Sequence, residues 1–567
     1  MSARTVRPAP RIHLPRISGR GALSPFRLFL GCCVALACSL GAADAQEPTP
    51  EQLPSFAELE AAGAVIGEIR IDNQNIFDPN DPEENGILYR AANFIHFRTR
   101  AEVIRRQLLF KSGERVSVRL VEETERLLRA SRILHDVDIR PLAYRDSVVD
   151  IEVKTSDNWT LTPGVGISRS GGSNRRHVDI EEANTLGTGI FVGINRTSEA
   201  VRTTTEYRVT ESRAFDGWTT IGAAYSKNND GDRRSVSLTR PFYALDTRWA
   251  AGITGSMDNR IESVFTDGVT ASQFRHRQGM AEAFGGLSAG LVEGWVHRYS
   301  LGFTWQQDRY SVEPGLSTPA QLPGDRTIAA PFLRYEVAED NIEKVTNRNS
   351  IGRPEYFVMG LQSKLQLGRT STGFGSTEDL WLYSANVSDG FKLESSRTLL
   401  ASAAIAGQYG AGGIVNQLSS GSIRYYRPLS DHTLWFASLT GDALRAPATT
   451  EQLLLGGDTG MRGYPSNYQS GYRRLLFTVE ERVYTDWYPF RLFRIGAAAF
   501  FDAGRAWGGP DENTANAGWI TDIGFGFRIV SARSVLGTVA HIDFAFPLNR
   551  DPNIKSFQFL VSTKVTL

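Results

Sequence analysis

The sequence is poor in several features that would assign a chain to a common class of protein. Its three cysteines, Cys32, Cys33 and Cys38, all lie near the amino terminus, so residues 46–567 contain none. Those residues therefore cannot use disulfides, thiol nucleophiles or cysteine ligands for a metal. They also lack any run of about 18 uninterrupted apolar residues, which excludes a transmembrane helix from this part of the chain.

The chain also lacks an excess of either charge, because 62 Lys and Arg balance 62 Asp and Glu. Residues 1–45 contain six arginines, then the apolar run from Phe29 to Leu40, then an A-x-A site at 43–45. This order predicts a secretory signal peptide. Removing its six arginines and Asp44 from the totals leaves a net charge of −5. We therefore expect an exported protein that does not bind nucleic acid.

Motifs for catalysis and cofactor binding are absent or weak. No phosphate-binding G-x-x-x-x-G-K-[ST] occurs, and the eight histidines show no metal-ligand spacing. Gly286 to Gly290 fits the G-x-S-x-G nucleophile motif around Ser288, but no helical pattern follows, as that motif requires. We predict no enzyme activity, no catalytic residue, no metal site and no cofactor.

Glycine and aromatic residues, in contrast, are abundant. The chain has 54 Gly, 30 Phe, 18 Tyr and 10 Trp. This composition indicates many strands and turns. An exported chain with many strands and no helical span has one way to cross a membrane, which is to form a closed β-barrel.

Residues 63–156 have a mixed pattern, and 46–62 precede them as a linker. A strand near Val65 is followed by capping-box spacing at Thr99–Glu102 and by a second helix after Ser117. Two alternating strands at 135–139 and 147–153 complete a small α+β domain of order β-α-α-β-β.

Residues 157–567 alternate with period two between turn residues. In one stretch Ile523, Phe525 and Phe527 oppose Asp522 and Arg528. A soluble β-sandwich would show the same alternation. The segments, however, run about ten residues, the span of a tilted membrane strand, and their other face carries charges that a sandwich core could bury only at a cost. We therefore predict a transmembrane antiparallel β-barrel.

Five short motifs occur in a fixed order across this region and the domain before it. They are RASRILHDVDI at 129–139, E-x-N-x-x-G-x-G at 182–189, Met461-Arg462-Gly463-Tyr464, F-x-D-x-G at 500–504, and GFGFRIV with HIDFAFPL at 524–530 and 541–548. Together they resemble the BamA/TamA superfamily of outer-membrane assembly and translocation barrels. The resemblance covers essentially all of residues 46–567. It implies that 63–156 form one POTRA-like periplasmic domain and that the barrel has 16 strands.

The resemblance also implies a loop clamp. In the family the loop bearing Arg462 folds back into the barrel, where the arginine pairs with Asp502 and lies near an acidic residue, here Glu480. Gly463, Tyr464 and Gly504 are the other motif residues carried over. Alternation independently turns Asp502 inward, because Ile495, Ala497, Ala499 and Phe501 suit lipid. It turns Glu480 and Arg482 inward as well, because Leu475, Phe477 and Val479 suit lipid. We interpret the clamp mainly as a structural brace.

The function implied is an assembly or translocation factor of the bacterial outer membrane. Client polypeptides would be captured by the POTRA-like domain and handled at the seam between the first and last strands. The implied partners are the outer-membrane bilayer, unfolded or extended clients, and periplasmic chaperones or accessory lipoproteins. Two alternatives stay open, a two-partner-type secretion pore for a dedicated exoprotein and a plain outer-membrane channel.

Overall fold

The computed structural model describes residues 53–131, 133–170, 173–199, 202–266, 269–394, 396–447, 451–509, 518–532, 538–549 and 554–565. The predicted signal peptide and residues 46–52 of the predicted linker lie outside these residues. The rest of that linker contains a helix that the sequence pattern did not predict.

An α+β region occupies residues 56–157. Its elements are α1 (Phe56–Ala61), β1 (Val65–Gln74), α2 (Ile87–Ile95), α3 (Ala101–Arg105), α4 (Val118–Ala130), β2 (Leu134–Arg145) and β3 (Val148–Asp157). The central strand β3 pairs in parallel with β1 and antiparallel with β2. Val149, Ile151 and Val153 of β3 form a fully buried core with Leu59, Ile104 and Leu128 from the helices, and this burial holds the helices on the sheet.

The helix starts in this region differ from the sequence prediction. The capping box at Thr99–Glu102 is wrong, since α3 begins after Arg100 and lacks a side-chain cap. The backbone N–H of Thr99 instead donates to Asp157 Oδ2, 2.7 Å away. Ser117 does precede α4, but its hydroxyl does not cap it. A buried carboxylate from another element thus fixes the residue just before the cap position of α3.

Twenty strands of the described chain close into an antiparallel barrel. They are β4 (Leu161–Ser170), β5 (Ser173–Glu182), β6 (Ile190–Ser198), β7 (Thr203–Ala214), β8 (Thr219–Asn228), β9 (Gly231–Arg240), β10 (Trp249–Thr266), β11 (Val269–Val292), β12 (Trp295–Ser311), β13 (Arg326–Glu339), β16 (Gln362–Arg369), β17 (Trp381–Glu394), β18 (Arg397–Gly410), β19 (Gly413–Ser430), β20 (Thr433–Arg445), β23 (Arg473–Tyr484), β24 (Phe493–Trp507), β25 (Ile520–Ser531), β26 (Thr538–Pro547) and β27 (Gln558–Val565). Two further ribbons are β14 (Ile342–Thr346) with β15 (Pro354–Val358) and β21 (Leu453–Leu455) with β22 (Gln469–Gly471).

The predicted class, a mainly β barrel after one small α+β unit, is confirmed, but the expected 16 strands are wrong. Period-two alternation identifies strands without counting them, because the count depends on where each turn falls and on which strands close the sheet.

The barrel wall follows the predicted alternation. On β25, Ile523, Phe525 and Phe527 are exposed on the outer face, while Asp522 and Arg528 are buried on the inner face. The outer face is therefore apolar and the inner face polar. Among the described residues, none of the helices combines the length and apolarity needed to cross a membrane.

The strand order defines two ends of the barrel. Strand β4 follows the α+β region directly, so the turns β5–β6, β7–β8, β9–β10 and β23–β24 lie at the end near that region, which we call the proximal end. The connection between β20 and β23 lies at the other, distal end. Among the connections that the structure describes, two turn inward. They are the inner loop (residues 456–468), from the distal end, and the lumenal hairpin (residues 340–361), which contains β14 and β15 and comes from the proximal end.

Candidate functional site

The inner loop is seated inside the barrel by a small apolar core. Met461 and Tyr464 of the loop are fully buried, and they pack with Leu455 of β21 and with Ala506 and Ile520 on the inner faces of β24 and β25. Burial of two large side chains stabilises this position by roughly 3–6 kcal/mol, at about 1.5–3 kcal/mol for each. The loop is thus a packed part of the barrel interior.

Arg462 extends from this loop to three acidic side chains. Its Nε and Nη2 donate to the two carboxylate oxygens of Asp502 on β24, at 2.7 and 2.9 Å. Its Nη1 donates to Glu480 on β23 at 2.9 Å and to Asp543 on β26 at 3.4 Å. The structure thus brings together the three charged residues singled out from the sequence and adds Asp543. Such two-point contacts fix the direction of the guanidinium as well as its position.

The ring of Phe500 completes the seat of the arginine. The guanidinium carbon of Arg462 lies 3.4 Å from the centroid of this ring. The face of an aromatic ring is electronegative and attracts a cation. In the F-x-D-x-G sequence, the first Phe therefore supports the cation and the Asp pairs with it, since residues two apart on a strand share one face.

The two glycines of the site make room for the loop. A Cβ added to Gly463 would lie 2.7 Å from the Cβ of Asp522 and 3.0 Å from the backbone nitrogen of Pro547. One added to Gly504 would lie 3.0 Å from the sulfur of Met461. Both glycines therefore permit a close approach of loop and wall that larger residues would block.

Tyr464 anchors the far side of the loop. Its hydroxyl donates to the carbonyl of Thr521 at 2.9 Å, and the backbone N–H of Asn549 donates to this hydroxyl at 3.3 Å. Asn549 follows β26, so Tyr464 joins the loop to both β25 and the end of β26. The bonds satisfy the one polar atom of an otherwise buried side chain.

Sequence reasoning assigned no role to Asp522, Asp543, Arg528 and Arg482, which also belong to this network. Asp522 accepts the backbone N–H of Gly463 at 2.9 Å. Arg528 Nη1 donates to Asp543 at 2.6 Å, and Arg482 Nε donates to Glu480 at 2.8 Å. The sequence did contain a signal for three of these four residues, because alternation already turned Asp522, Arg528 and Arg482 inward. Which inward charges meet depends on strand register, which is a tertiary property.

The lumenal hairpin, which the sequence pattern did not predict, fills the proximal end of the barrel beside this network. Its apolar side chains pack against inward-facing residues of β19, β20, β23, β25 and β26. The cluster comprises Val345, Ile351, Phe357 and Met359 of the hairpin with Tyr426, Leu434, Phe436, Tyr484, Val530 and Val539 of the wall. The turn of the hairpin is closed by Glu355, whose carboxylate accepts backbone N–H groups of Arg348, Asn349 and Ser350.

Arg482 joins the hairpin to the loop clamp. While its Nε contacts Glu480, its Nη1 donates to the carbonyl of Arg348 at 2.8 Å, and its guanidinium lies 3.9 Å from the Phe436 ring centroid. One wall residue thus contacts the carboxylate that holds the inner loop and the backbone of the hairpin. Sequence alternation turned Arg482 inward without giving it a partner.

The α+β region contacts the proximal turns of the barrel. Asn184, in the E-x-N-x-x-G-x-G motif, lies in the turn β5–β6 and donates to Thr99 Oγ1 at 2.7 Å. The backbone N–H of Leu245, in the turn β9–β10, donates to Glu123 of α4 at 2.8 Å. Burial raises the pKa of Glu123, against the Leu245 hydrogen bond, which lowers it.

Chemically, this arrangement holds a segment of chain in place. The buried arginines Arg462, Arg482 and Arg528 are paired with the carboxylates of Asp502, Glu480 and Asp543, as burial of charge requires. Ser288, the serine of the G-x-S-x-G match, lies within β11, and its hydroxyl donates to the carbonyl of His297 at 2.8 Å. No group of three or more metal-ligating side chains occurs among the described residues.

Comparison with known proteins gives a limited result. No protein-family model and no curated protein sequence matches the chain. Among solved structures, the chain is similar to CdiB from Escherichia coli, with a TM-score of 0.46 and 13% identity over 88% of this chain and 76% of that one. It is also similar to CdiB from Acinetobacter baumannii (TM-score 0.44, 11% identity, 88% and 73%) and to BamA from Haemophilus ducreyi lacking POTRA domains 1–3 (0.38, 14%, 88% and 85%). At these values the similarities identify neither a substrate nor a partner.

Proposed function

We propose that this chain is an outer-membrane barrel of the BamA/TamA type that inserts or passes client polypeptides. The observation that carries the proposal is the position of the Arg462 clamp. Its carboxylates lie on β23, β24 and β26, the strands that lead to β27 and the seam with β4. The inner loop therefore braces the barrel beside its first and last strands.

The membrane placement follows from the outer face. Large apolar side chains such as Leu301, Leu333 and Phe525 are more than half exposed there. A continuous apolar belt of this kind is stable in lipid and a liability in water. We place the barrel in the outer membrane and the α+β region, as a POTRA-like domain, in the periplasm.

The seam supplies a mechanism that needs no catalytic residue, metal or nucleotide. Strand β4 contains Pro163, which cannot donate a backbone hydrogen bond, and the described part of β27 has 8 residues. Separation of these strands would expose backbone groups that lipid cannot satisfy. An incoming client strand would satisfy them, so strand addition at the seam drives insertion.

Capture of the client would begin in the periplasm. In the three-stranded sheet of the α+β region, β2 lies at an edge, where an extended polypeptide can add as a further strand. Periplasmic chaperones or accessory lipoproteins would deliver the client to this edge. The loop clamp acts as a brace in this scheme, because it holds the wall rigid on one side while the seam opens.

A cysteine lock tests the seam. One cysteine replaces Thr162 of β4, and a second is placed in turn at residues 561–565 of β27 until a disulfide forms. The protein in proteoliposomes is then assayed for folding of a small outer-membrane barrel, of about eight strands, that is added in unfolded form. We expect the locked protein to lose this activity and to regain it on reduction; full activity of the oxidised protein would refute the seam mechanism.

A matched lock controls for the disulfide itself. Ser402 and Ser422 are directly opposed on β18 and β19, with hydroxyl oxygens 2.9 Å apart, away from the seam. A disulfide between cysteines at these two positions should leave the activity unchanged.

The lumenal hairpin favours a second candidate, a secretion pore closed by its own chain. In that case the hairpin is a plug that moves aside for an exoprotein. Along the wall of β7–β12, a cavity of about 410 Å³ is lined by small and polar residues, including Thr210, Ser235, Ser237 and Thr254. This part of the lumen would admit an extended chain.

Single-channel conductance separates the candidates. Residues 342–358 are replaced by a short Gly-Ser linker, which leaves the base of the hairpin at Asn341 and Met359 intact. A large rise in conductance with retained folding activity indicates that the plug is separate from the seam. A large rise in conductance, with no folding activity in the protein before or after the replacement, favours the secretion pore. High conductance of the protein before the replacement favours a plain channel.

A further inference from the structure

Helix α2 presents its apolar face away from the protein. Ile87, Leu88, Ala91, Phe94 and Ile95 follow the spacing i, i+1, i+4, i+7, i+8, which places them on one side of a helix. All five are exposed; Leu88 is 78% and Phe94 89% exposed. A surface helix of a water-soluble domain normally turns this side toward the core.

The opposite, polar side attaches α2 to the α+β region. The Asn93 side chain donates to the carbonyl of Phe77 at 2.8 Å and accepts its N–H at 3.2 Å. The Tyr89 ring packs 4.7 Å from the Phe77 ring. Because these contacts fix the rotation of the helix about its axis, the exposure of the apolar side is a property of the fold.

The helix is held against the outer proximal rim of the barrel. The hydroxyl of Tyr89 donates to the carbonyl of Phe490, in the turn β23–β24, at 3.1 Å. In the same turn Arg491 pairs with Asp81 at 3.1 Å, in the segment just before α2. Helix α2 therefore lies beside the turn from which the outer face of β24 starts.

That rim carries the residues expected at a membrane surface. Trp487 and Phe490 are 65% and 73% exposed, and Phe493 begins the outer face of β24. Aromatic girdles of this kind mark the level of the lipid headgroups on membrane barrels. The exposed arginines Arg90 and Arg98, on α2 and just after it, suit the anionic headgroups of such a layer.

We propose that α2 is an interfacial membrane helix, inserted by its apolar face into the proximal leaflet beside the turn β23–β24. The lipid continues the apolar belt of the barrel onto this helix. The α+β region is thereby held at the membrane surface by lipid as well as by its contacts with the turns. The proposal rests on the membrane placement of the barrel, and it is independent of the seam mechanism.

Fluorescence quenching in proteoliposomes tests this proposal, since residues 46–567 contain no cysteine to interfere with labelling. An environment-sensitive probe is attached to single cysteines replacing Leu88 or Phe94. Two reference positions calibrate the signal. Phe525, on the outer face of β25, reports the barrel wall, and Arg145 reports water because the turn β2–β3 lies at the end of β3 remote from the barrel.

We expect probes at residues 88 and 94 to be quenched by nitroxide-labelled lipid, as at residue 525, and to be protected severalfold from iodide relative to residue 145. Leu88→Glu combined with Ile95→Glu should abolish lipid quenching at residue 94 without unfolding the barrel, since both side chains are exposed.

Three outcomes contradict the proposal. In the first, iodide quenches the probes at residues 88 and 94 as strongly as the probe at residue 145, while lipid still quenches the probe at residue 525; this overturns the proposal and leaves the membrane barrel intact. Protection from both quenchers overturns it too, because a client or a second copy then covers the helix. Absence of lipid quenching at 525 overturns both the proposal and the membrane placement.

Discussion

Arg462 of the inner loop and Asp502 of β24 form a two-point ion pair, with N–O distances of 2.7 and 2.9 Å, in which the side chains are 9% and 0% exposed. Burying two charges costs desolvation, which the pair recovers only while both partners are present. The contact therefore fixes the position of the loop more than it adds to the net stability of the barrel. Removing Arg462 leaves the buried carboxylate of Asp502 without its cation, whereas without Asp502 the arginine would keep only Glu480 and Asp543 as ion-pair partners.

The first prediction concerns the arginine. Arg462→Ala should release the inner loop at a cost of about 3–5 kcal/mol, the penalty for breaking a buried ion pair. We expect the barrel to remain folded, shown by its heat-dependent mobility on a gel, while protease added from the distal side cuts the loop. Arg462→Lys should restore protection only in part, because an ammonium cannot make the two-point contact.

The control for this prediction is Arg234→Ala. Arg234 pairs with Asp232 in an exposed ion pair, which contributes about 0–1 kcal/mol. Its replacement should not change the protease pattern. Equal protection of the loop in the Arg462→Ala protein would show that the apolar seat of Met461 and Tyr464 holds the loop without the arginine.

The second prediction concerns Gly463. Gly463→Ala would push the loop away from Asp522 and the backbone of Pro547, at a cost of about 1–3 kcal/mol for overpacking. Distal protease should then cut the loop faster. In the turn between β18 and β19, Gly412 has open space at its Cβ position, so Gly412→Ala should be neutral. Identical cleavage of both variants would contradict the close approach.

The third prediction concerns Arg482, which joins the loop clamp to the lumenal hairpin. Arg482→Met should loosen both, because Glu480 would lose a charged donor while keeping Arg462, and the carbonyl of Arg348 would be left with the Tyr484 hydroxyl. Loss of the charged hydrogen bond to Glu480 should cost about 1.5–3 kcal/mol. We expect more frequent channel openings in planar bilayers.

Arg334→Met is the matched control for Arg482→Met. Arg334 is also an inward arginine over an aromatic ring, and it pairs with Glu282 at 2.7 Å without touching the hairpin. Openings that increase equally in both variants would mean that loss of any lumenal arginine is sufficient, and Arg482 would then have no special role.

The fourth prediction concerns pH. Burial raises the pKa of Glu123 above its ordinary value of 4.5, so the folded state binds this proton more tightly than the unfolded state does. The contribution of this group to stability is therefore greatest below pH 4.5 and falls as pH rises through the raised pKa. In denaturant unfolding of the full chain, Glu123→Gln should remove this loss while keeping an acceptor for the Leu245 N–H.

Glu122→Gln, at the exposed neighbouring position of α4, should leave the pH dependence of unfolding as it is in the wild type. The opposite result would be a stability that rises with pH between 4.5 and the raised pKa, with this rise absent from the Glu123→Gln protein. That result would show that the ion pair of Glu123 with Arg119 outweighs burial.

The inward direction of two clamp carboxylates could be read from the sequence because it depends on local periodicity, whereas the pairing of Arg462 with them was implied by the family resemblance. Strand residues two apart point to the same face, so Glu480 and Asp502 had to face inward once Phe477 and Phe501 faced outward. Asp543 was missed because its contact with Arg462, 81 residues away in the chain, depends on strand register and on the path of the inner loop.

The sequence by itself determined the alternation of the wall, the inward direction of its charges and the small α+β unit, since these follow from periods of two and 3.6 residues. Only the tertiary structure decided that twenty strands of the described chain close the barrel and that residues 340–361 turn into it. It also decided that α2 attaches by Asn93 and leaves its apolar side outward. Each of these depends on contacts between distant segments, whose energies are absent from any local pattern.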